Sequence, residues 1–208
     1  MVYTFFRFLF WVYFSLFYSL RIAGRNNIPP RGAFLIAANH SSYFDPILIG
    51  VSTGRFLNYL ARDTLFRKKC FGWIMRNVRA IPLKRRGSDF GAIRTSIDLL
   101  KRGRPLVIFP EGTRTVDGRL KEGHRGIGFL VAKAGVPVIP AYIGGAREAF
   151  PKWAKKPKPH PIRVRFGKAV YFGDLFGDET KSGYDRISQE IMKGIADLKA
   201  RYESETGR

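Results

Sequence analysis

The sequence predicts an α/β fold: a layered, mostly parallel sheet flanked by helices, with a separate helical segment at the N-terminus. Three observations predict it. The length of 208 residues suits one α/β domain with a complete core. Beyond residue 26, apolar runs bounded by turn residues alternate with stretches of helical periodicity, as in strand–helix–strand units. Ahead of them, residues 1–20 form the most apolar and most aromatic stretch of the chain.

Residues 1–20 have the pattern of a helix at a membrane surface. A stripe at three- and four-residue steps carries Thr4, Arg7, Trp11, Ser15, Tyr18 and Ser19, and the remaining circumference is mainly Phe, Leu and Val. That pattern is typical of an interfacial helix with its apolar face in the acyl region. A spanning helix, which needs about 20 apolar residues, and a core helix of a soluble protein remain open; the stripe favours the interface. We therefore divide the chain into an anchoring amphipathic helix, 1–25, and one folded domain, 26–208.

Five apolar runs within the folded domain are predicted as strands: Ala33–Ala38, Phe56–Ala61, Leu106–Phe109, Val136–Ile143 and Ile162–Phe166. Helical patterns lie between and after them: Pro46–Thr53, Leu65–Asn77, Asp89–Arg102, Arg125–Ala134 and Tyr184–Tyr202. The segment Val136–Pro140 contains two prolines, which cannot donate to a strand ladder. We therefore expect an edge or irregular strand there, with a packing role.

Basic residues dominate the charge. Thirty-seven Lys and Arg against sixteen Asp and Glu give a formal net charge of +21. Such a field attracts phospholipid headgroups, nucleic acid or acidic carrier proteins. Because no recognisable nucleic-acid module is present, no nucleic-acid partner is expected. The single cysteine, Cys70, excludes an intrachain disulfide and fits a reducing compartment.

The first polar cluster, Asn39 to Pro46, directly follows a predicted strand. Ligands bind at the carboxyl ends of strands in such sheets, so His40 is well placed for chemistry. A continuous helix would set His40 and Asp45 about 140° apart, but Pro46 disfavours helical conformation before it and suits a helix start. We predict a helix from Pro46 and a turn that folds Asp45 back onto His40, where its carboxylate would fix the tautomer. Asp45 as a simple N-cap is the alternative.

The second polar cluster, Phe109 to Arg114, follows another buried apolar run. Here a carboxylate, a glycine, a hydroxyl and a guanidinium gather at one strand end. The planar fork of Arg114 matches phosphate oxygens in bidentate fashion, and Gly112 permits close backbone approach. The alternative is a surface ion pair between Glu111 and Arg114. A further segment, Arg79 to Arg86, is a short apolar run that ends in three cations, and its simplest interpretation is a solvated charge run beside a strand.

The segments NHSSYFDP and FPEGTR, in this order and about seventy residues apart, resemble the first and third motifs of the glycerolipid acyltransferases. Among these, the 1-acyl-sn-glycerol-3-phosphate (lysophosphatidic acid) acyltransferases are the most similar kind. Ile81–Arg85 resembles the family's second motif and Val136–Pro140 its fourth, so that the resemblance covers roughly residues 28–145. The second motif usually opens with glycine, where this chain has Arg79, and this departure bears on the choice of acceptor.

The resemblance implies an acyltransferase in which His40 is the general base for the acceptor hydroxyl and Asp45 its partner. The residues implied in binding substrate, chiefly the acceptor phosphate, are Lys84, Arg85, Glu111, Gly112, Thr113 and Arg114. The acceptor would be lysophosphatidic acid, the product phosphatidate, and the co-substrate acyl-CoA or acyl carrier protein, with no cofactor and no metal. The enzyme would be associated with the cytoplasmic face of an anionic phospholipid membrane.

Chemistry adds independent support to this interpretation. Transfer from a thioester to an alcohol needs a base near neutral pH, which histidine supplies. No Gly-x-Ser-x-Gly segment is present, which favours direct attack by the acceptor over an acyl-enzyme. Oxyanion donors are expected among backbone amides near residues 40–46 or 111–114. Of the residues that follow the third motif, His124 is expected in a loop, and Lys121 is the better candidate for a phosphate contact.

Three alternatives remain. The chain could acylate glycerol 3-phosphate or another lysolipid, it could be a non-catalytic basic protein that binds membranes or nucleic acid, or it could be a lipid hydrolase that uses His40 and water. Each makes a different prediction for thioester consumption with and without an acceptor.

Overall fold

The computed structural model describes residues 2–67, 69–77, 79–83, 90–173 and 180–207. Within these residues one sheet contains seven strands: β1 (Arg21–Ala23), β2 (Leu35–Ala38), β3 (Asn58–Arg62), β4 (Ala80–Leu83), β5 (Leu106–Ile108), β6 (Val138–Gly144) and β7 (Arg163–Phe166). Their order is β1-β7-β6-β2-β5-β3-β4. Strands β2 to β6 are mutually parallel, β7 is antiparallel to β6, and β1 is parallel to β7. The predicted α/β class with a mostly parallel sheet is confirmed.

The described helices are α1 (Val2–Tyr18), α2 (Asp45–Ser52), α3 (Lys69–Asn77), α4 (Phe90–Lys101), α5 (Arg125–Ala134), α6 (Ala146–Ala149) and α7 (Lys181–Thr206). Side chains of α1 and α2 pack on one face of the sheet. Side chains of α4, α5 and α7 pack on the other. The central strands are therefore buried on both faces, which is why they read as continuous apolar runs.

Strand β2 shows how the pleat divides the core. Ile36 and Ala38 belong to the cluster under α1 and α2, whereas Leu35 and Ala37 belong to the cluster under α5 and α7. Successive side chains point to opposite faces because the strand repeat is two residues. β2 lies between β5 and β6, where the strand order reverses, and the carboxyl end of such a strand is the usual ligand site of an open α/β sheet.

Helix α1 crosses the sheet from its amino edge to its carboxyl edge. Tyr3 contacts Phe56, just before β3, and Phe14 and Tyr18 contact Phe44, just before α2. Phe14 is fully buried, while the outward side is apolar and exposed at Phe5, Phe8, Leu9, Trp11, Leu16 and Phe17. Among the helices that the structure describes, none combines the length and apolarity that crossing a bilayer requires.

The prediction of an edge or irregular strand at Val136–Pro140 was wrong. β6 begins at Val138 and is internal, paired with β2 on one side and β7 on the other. Pro140 is tolerated because the ladder with β7 is interrupted beside it. β7 pairs with residues 141–144, and only an isolated bridge joins Val138 to Val170 beyond the gap. The missing N–H of Pro140 therefore leaves no ladder position unfilled, and its carbonyl accepts the Gly167 N–H at 2.8 Å.

Several element bounds also differ from the predictions. The helix predicted over Leu65–Asn77 is divided into a 3-10 turn, Asp63–Phe66, and α3. Strands β1 and β4 and the short helix α6 were not predicted. β1 is only three residues long and is paired with β7, far along the chain, so its local sequence carries little strand signal.

Candidate active site

The loop after β2 brings His40 and Asp45 together as predicted. His40 Nδ1 lies 2.8 Å from Asp45 Oδ2. The same oxygen accepts the backbone N–H groups of Ser41 and Ser42, each at 2.7 Å. Because an ionised carboxylate only accepts, Nδ1 carries the proton, and Nε2 is left as the basic nitrogen.

Asp45 serves this turn and not the helix that follows. Helix α2 begins at Asp45, one residue earlier than predicted, with Pro46 inside its first turn where no N–H is required. The residue at the N-cap is Phe44, which makes no side-chain cap bond. The Asp45 carboxylate instead bonds backward to residues 40–42, so the N-cap alternative is not what the structure contains.

The third motif holds the main chain of His40 on both sides. Glu111 Oε1 accepts the His40 N–H at 2.8 Å, and the His40 carbonyl accepts the Thr115 N–H at 2.8 Å. Glu111 Oε2 accepts the Lys121 N–H at 3.2 Å. Glu111 is only 3% exposed; burial raises the pKa of its carboxyl, and the two backbone donors partly oppose that rise. Its predicted contact with substrate stays a prediction, and little of its surface is left to make one.

The imidazole of His40 packs flat against Phe109. The ring centroids are 4.2 Å apart with 21° between the planes. The His40 side chain is 18% exposed, whereas the Asp45 side chain is fully buried. Phe109 packs against the cluster under α1 and α2, so the base lies towards that face of the sheet.

Arg114 also lies on this side, held by a residue of the first motif. Its guanidinium carbon lies 3.6 Å from the centroid of the Tyr43 ring, and Tyr43 in turn contacts Phe150. One guanidinium nitrogen, Nη1, is buried and has no hydrogen-bond partner among the described residues. A buried donor without an acceptor is costly, and an anionic ligand atom would satisfy it.

Gly112 and Thr113 form the turn between Glu111 and Arg114. Gly112 has φ +65°, a conformation that favours glycine. A Cβ at this position would also lie 2.7 Å from the imidazole of His124. The sequence predicts His124 in a loop outside the site, but the loop before α5 folds back and sets its ring directly on the third motif. Nothing local in the sequence indicates this contact, because it joins two segments of that returning loop.

The second motif is only partly within the described residues. Lys84 and Arg85 lie outside them. Arg79 is described, and it lies just before β4 at the amino edge of the sheet, where its carbonyl accepts the Tyr59 N–H at 3.3 Å. The parallel strands place His40 at the opposite, carboxyl edge. Arg79 is therefore not part of the pocket around His40.

The backbone amides expected to stabilise an oxyanion are largely occupied. The N–H groups of residues 40–44 donate to the side chains of Glu111, Asp45 and Ser42 and to the Phe150 carbonyl. Those of residues 112 and 113 donate within their own turn. These amides are thus used to fix the loops. The remaining candidates for an oxyanion donor are Arg114 and the N–H groups in the first turn of α2, which lack intrahelical partners.

A cleft of about 230 Å³ opens at the same carboxyl edge, on the α7 side of the sheet. Asn39 and Ser41, the neighbours of His40, line it together with Arg147 and Lys199. Asn39 is fixed there by two hydrogen bonds to the backbone of Ile143. Across the described part of the chain, no three His, Cys, Asp or Glu side chains converge to hold a metal ion.

Comparison with known proteins identifies the family. A family model described as acyltransferase matches residues 19–144, which include both loops of the site. The chain belongs to the acyltransferase family. The 1-acyl-sn-glycerol-3-phosphate acyltransferase of Bacillus subtilis is 33% identical over 90% of this chain and 92% of its own length. Its chloroplastic counterpart from Brassica napus is 31% identical over 80% of this chain, and the chain spans about half, 50%, of that longer protein.

A solved structure agrees with the fold. The crystal structure of the 1-acyl-sn-glycerophosphate (LPA) acyltransferase from Thermotoga maritima superposes with a TM-score of 0.74 and 27% identity. The match covers 89% of this acyltransferase-family chain and 74% of the other.

Proposed function

We propose that this acyltransferase-family protein transfers an acyl chain from a thioester to the 2-hydroxyl of 1-acyl-sn-glycerol 3-phosphate, which yields phosphatidate. The observation that carries the proposal is the His40–Asp45 pair, held by the third motif at the carboxyl end of the central strand. The relatives named for this reaction in Bacillus subtilis and Brassica napus support the choice of acceptor.

In the proposed reaction, His40 Nε2 accepts the proton of the acceptor hydroxyl as its oxygen attacks the thioester carbonyl. The ester C–O bond forms, the C–S bond breaks, and the imidazolium returns the proton to the departing thiolate. Asp45 stabilises the imidazolium and keeps the ring oriented, as carboxylate partners of histidine do in other transferases and hydrolases. General base catalysis of this kind is typically worth about 10²–10⁴-fold in rate.

The acceptor phosphate is assigned to Arg114. Support comes from its buried Nη1, which has no partner among the described residues, and from its position on the same face as His40. Lys84, Arg85 and Thr113 are proposed to add phosphate contacts, and the lack of a side chain at Gly112 lets the His124 ring lie against this turn. Glu111 is proposed to act chiefly by positioning His40 and Lys121 through their backbone N–H groups.

The proposed location is the cytoplasmic face of an anionic membrane, with α1 lying in the interface. Its support is the exposed apolar side of α1, which includes Phe8 at 64% and Leu16 at 73% exposure. Since His40 and Arg114 lie towards the same face of the sheet as α1, a lipid acceptor would enter from the membrane side. The soluble donor, acyl-CoA or acyl carrier protein, would approach from water.

Thioester consumption tests the proposal with both donors against a panel of acceptors. Wild-type protein is expected to consume thioester only when a lysolipid is present and to prefer lysophosphatidic acid over the same lipid without phosphate. Arg114→Ala should remove that preference, whereas Arg186→Ala, on the exposed side of α7, should keep it. Equal rates on phosphorylated and unphosphorylated acceptors would exclude the phosphate assignment. Fatty acid release without an acceptor would favour a hydrolase.

A further inference from the structure

Two arginines lie against one aromatic ring at the amino edge of the sheet. The guanidinium carbon of Arg7, in α1, is 5.8 Å from the centroid of Phe56, and that of Arg79 is 5.1 Å from the same centroid. Phe56 is 43% exposed. We call Arg7, Phe56 and Arg79 the arginine cradle. Its two cations come from α1 and from the turn before β4, and the fold brings both to the same ring.

The backbone of Arg79 is held in a conformation that suits glycine better than arginine. Its φ is +59°, and Ser19 is the only other described non-glycine residue with a positive φ. The conformation is imposed by the chain, because the Arg79 N–H donates to Arg76 and its carbonyl accepts from Tyr59 at the start of the β3–β4 ladder. An arginine therefore occupies this position at a cost in backbone free energy relative to glycine.

Carboxylates among the described residues do not account for the two cations. Within the described part of the chain, none of the ion pairs involves Arg7 or Arg79. The active site does not explain them either, because His40 lies at the opposite edge of the sheet. Both guanidinium groups lie near one exposed ring, and a guanidinium without a carboxylate partner is suited to contact a phosphate.

The cradle adjoins the exposed aromatic side of α1. Trp11 follows Arg7 by one helical turn and stacks on Phe8, with centroids 6.4 Å apart. Trp11 is 45% exposed, Phe8 64% and Phe5 62%. Aromatic rings beside basic groups are typical of the depth at which a bilayer changes from acyl chains to headgroups. This continuity selects a lipid headgroup over a free phosphate as the occupant.

We propose that the arginine cradle binds the phosphate of an anionic phospholipid and fixes the N-terminal end of α1 at headgroup depth. The inference rests on the proposed membrane association and is independent of the acyl-transfer chemistry. Bound in this way, α1 lies along the membrane with its other end, near Phe44, beside the loop that carries His40.

Vesicle binding by Arg79→Gly protein tests the proposal. Glycine removes the cation and suits the positive φ, so the thermal midpoint should be unchanged or higher. Binding to vesicles of equal parts phosphatidylcholine and phosphatidylglycerol should fall about fivefold, the contribution of one well-placed arginine. Binding to pure phosphatidylcholine vesicles should not change. Arg79→Lys should retain most of the binding to anionic vesicles.

Arg186→Gln is the matched control, since it removes one exposed cation on α7, across the sheet from α1. The proposal fails if Arg79→Gly binds anionic vesicles as tightly as the wild type does, or if its binding to neutral vesicles falls by the same factor. It also fails if Arg186→Gln weakens binding to anionic vesicles as much as Arg79→Gly does. Acyl transfer to an acceptor dispersed in detergent should be the same in Arg79→Gly and wild type. A wild type without any transfer would overturn the proposed function while leaving the vesicle comparison intact.

Discussion

The loop that carries His40 also carries the ring that holds Arg114. Tyr43 lies between the base and its partner Asp45 in sequence, and its ring stacks on the guanidinium at 3.6 Å. The loop is fixed at its back, where Ser42 Oγ donates to the Phe150 carbonyl at 2.8 Å. One short segment thus sets the distance between the proton acceptor and the proposed phosphate site. That distance has to match the one between the hydroxyl and phosphate of the acceptor.

Tyr43→Leu should therefore raise KM for a phosphorylated acceptor by about 2- to 30-fold, the range of a cation–π contact, with little change in kcat. Steady-state kinetics on lysophosphatidic acid measures both constants. Tyr43→Phe keeps the ring and should behave like the wild type. In an Arg114→Ala background, Tyr43→Leu should have no further effect, because the two residues act as one unit. Additive losses would show that Tyr43 acts without Arg114.

Among the contacts in the site, the sequence predicted the one between residues that are close together in the chain. The contact between His40 and Asp45 follows from five residues and a proline, and it was predicted. The stacking of Tyr43 on Arg114 joins loops from different parts of the chain and depends on the strand order, which periodicity alone does not give. The packing of His124 on Gly112 depends on how the loop between β5 and α5 folds back, which its local sequence does not indicate.

Helices α5 and α7 pack closely beneath the sheet at a glycine. A Cβ on Gly128 would collide with the backbone carbonyl of Tyr184. Arg125 and Asp185 join the same two helices by two hydrogen bonds of 2.6 and 2.7 Å. Since α5 follows the loop that carries Lys121 and His124, this contact also supports the third motif from behind.

Gly128→Ala should lower the free energy of unfolding by about 1–3 kcal/mol, because the methyl group has to push the helices apart. Chemical denaturation measures the change. Gly126→Ala is the control in the same helix: a Cβ there meets no atom within 4 Å, and the better helix propensity should add up to about 1 kcal/mol. A stabilising Gly128→Ala would contradict the close packing of α5 on α7.

Elements differ in how well their sequence predicts them. The sequence predicted the amphipathic helices α4, α5 and α7 and the buried strands to within a few residues of their observed bounds. β6 was misplaced because prolines normally exclude a central strand, and the interrupted ladder beside Pro140 is not visible in the sequence. β1 is only three residues long and pairs with β7, far along the chain, whereas β4 lies in a segment whose three following cations favoured a solvated charge run.

Over the whole molecule, α1 is both part of the core and the proposed membrane contact. Its inner side contributes Phe14 and Tyr18 to the cluster beneath it, and its outer side exposes Phe8 and Leu16. The division at residue 25 stays a prediction, and across it the inner side of α1 packs on the same core cluster as the residues that follow. The net charge of +21 also attracts anionic lipid towards the protein.

Truncation of a side chain should have different effects on the two sides of α1. On the inner side it should lower the free energy of unfolding, and on the outer side it should weaken binding to vesicles. Phe14→Ala, at a fully buried ring, should lower the free energy of unfolding by about 3–5 kcal/mol. Leu16→Ala, at a side chain that is 73% exposed, should change it by less than about 0.5 kcal/mol. The same Leu16→Ala substitution should weaken partition into neutral vesicles by about 10-fold. Unchanged partition would contradict the contact of this side with lipid.

The most direct test of the account is acyl transfer by purified His40→Ala protein. With lysophosphatidic acid and an acyl thioester, its rate of phosphatidate formation should fall by at least about 10²-fold, while its thermal midpoint and vesicle binding stay close to those of the wild type. Near-native turnover by a folded, membrane-bound His40→Ala protein would contradict the assignment of His40 as the base.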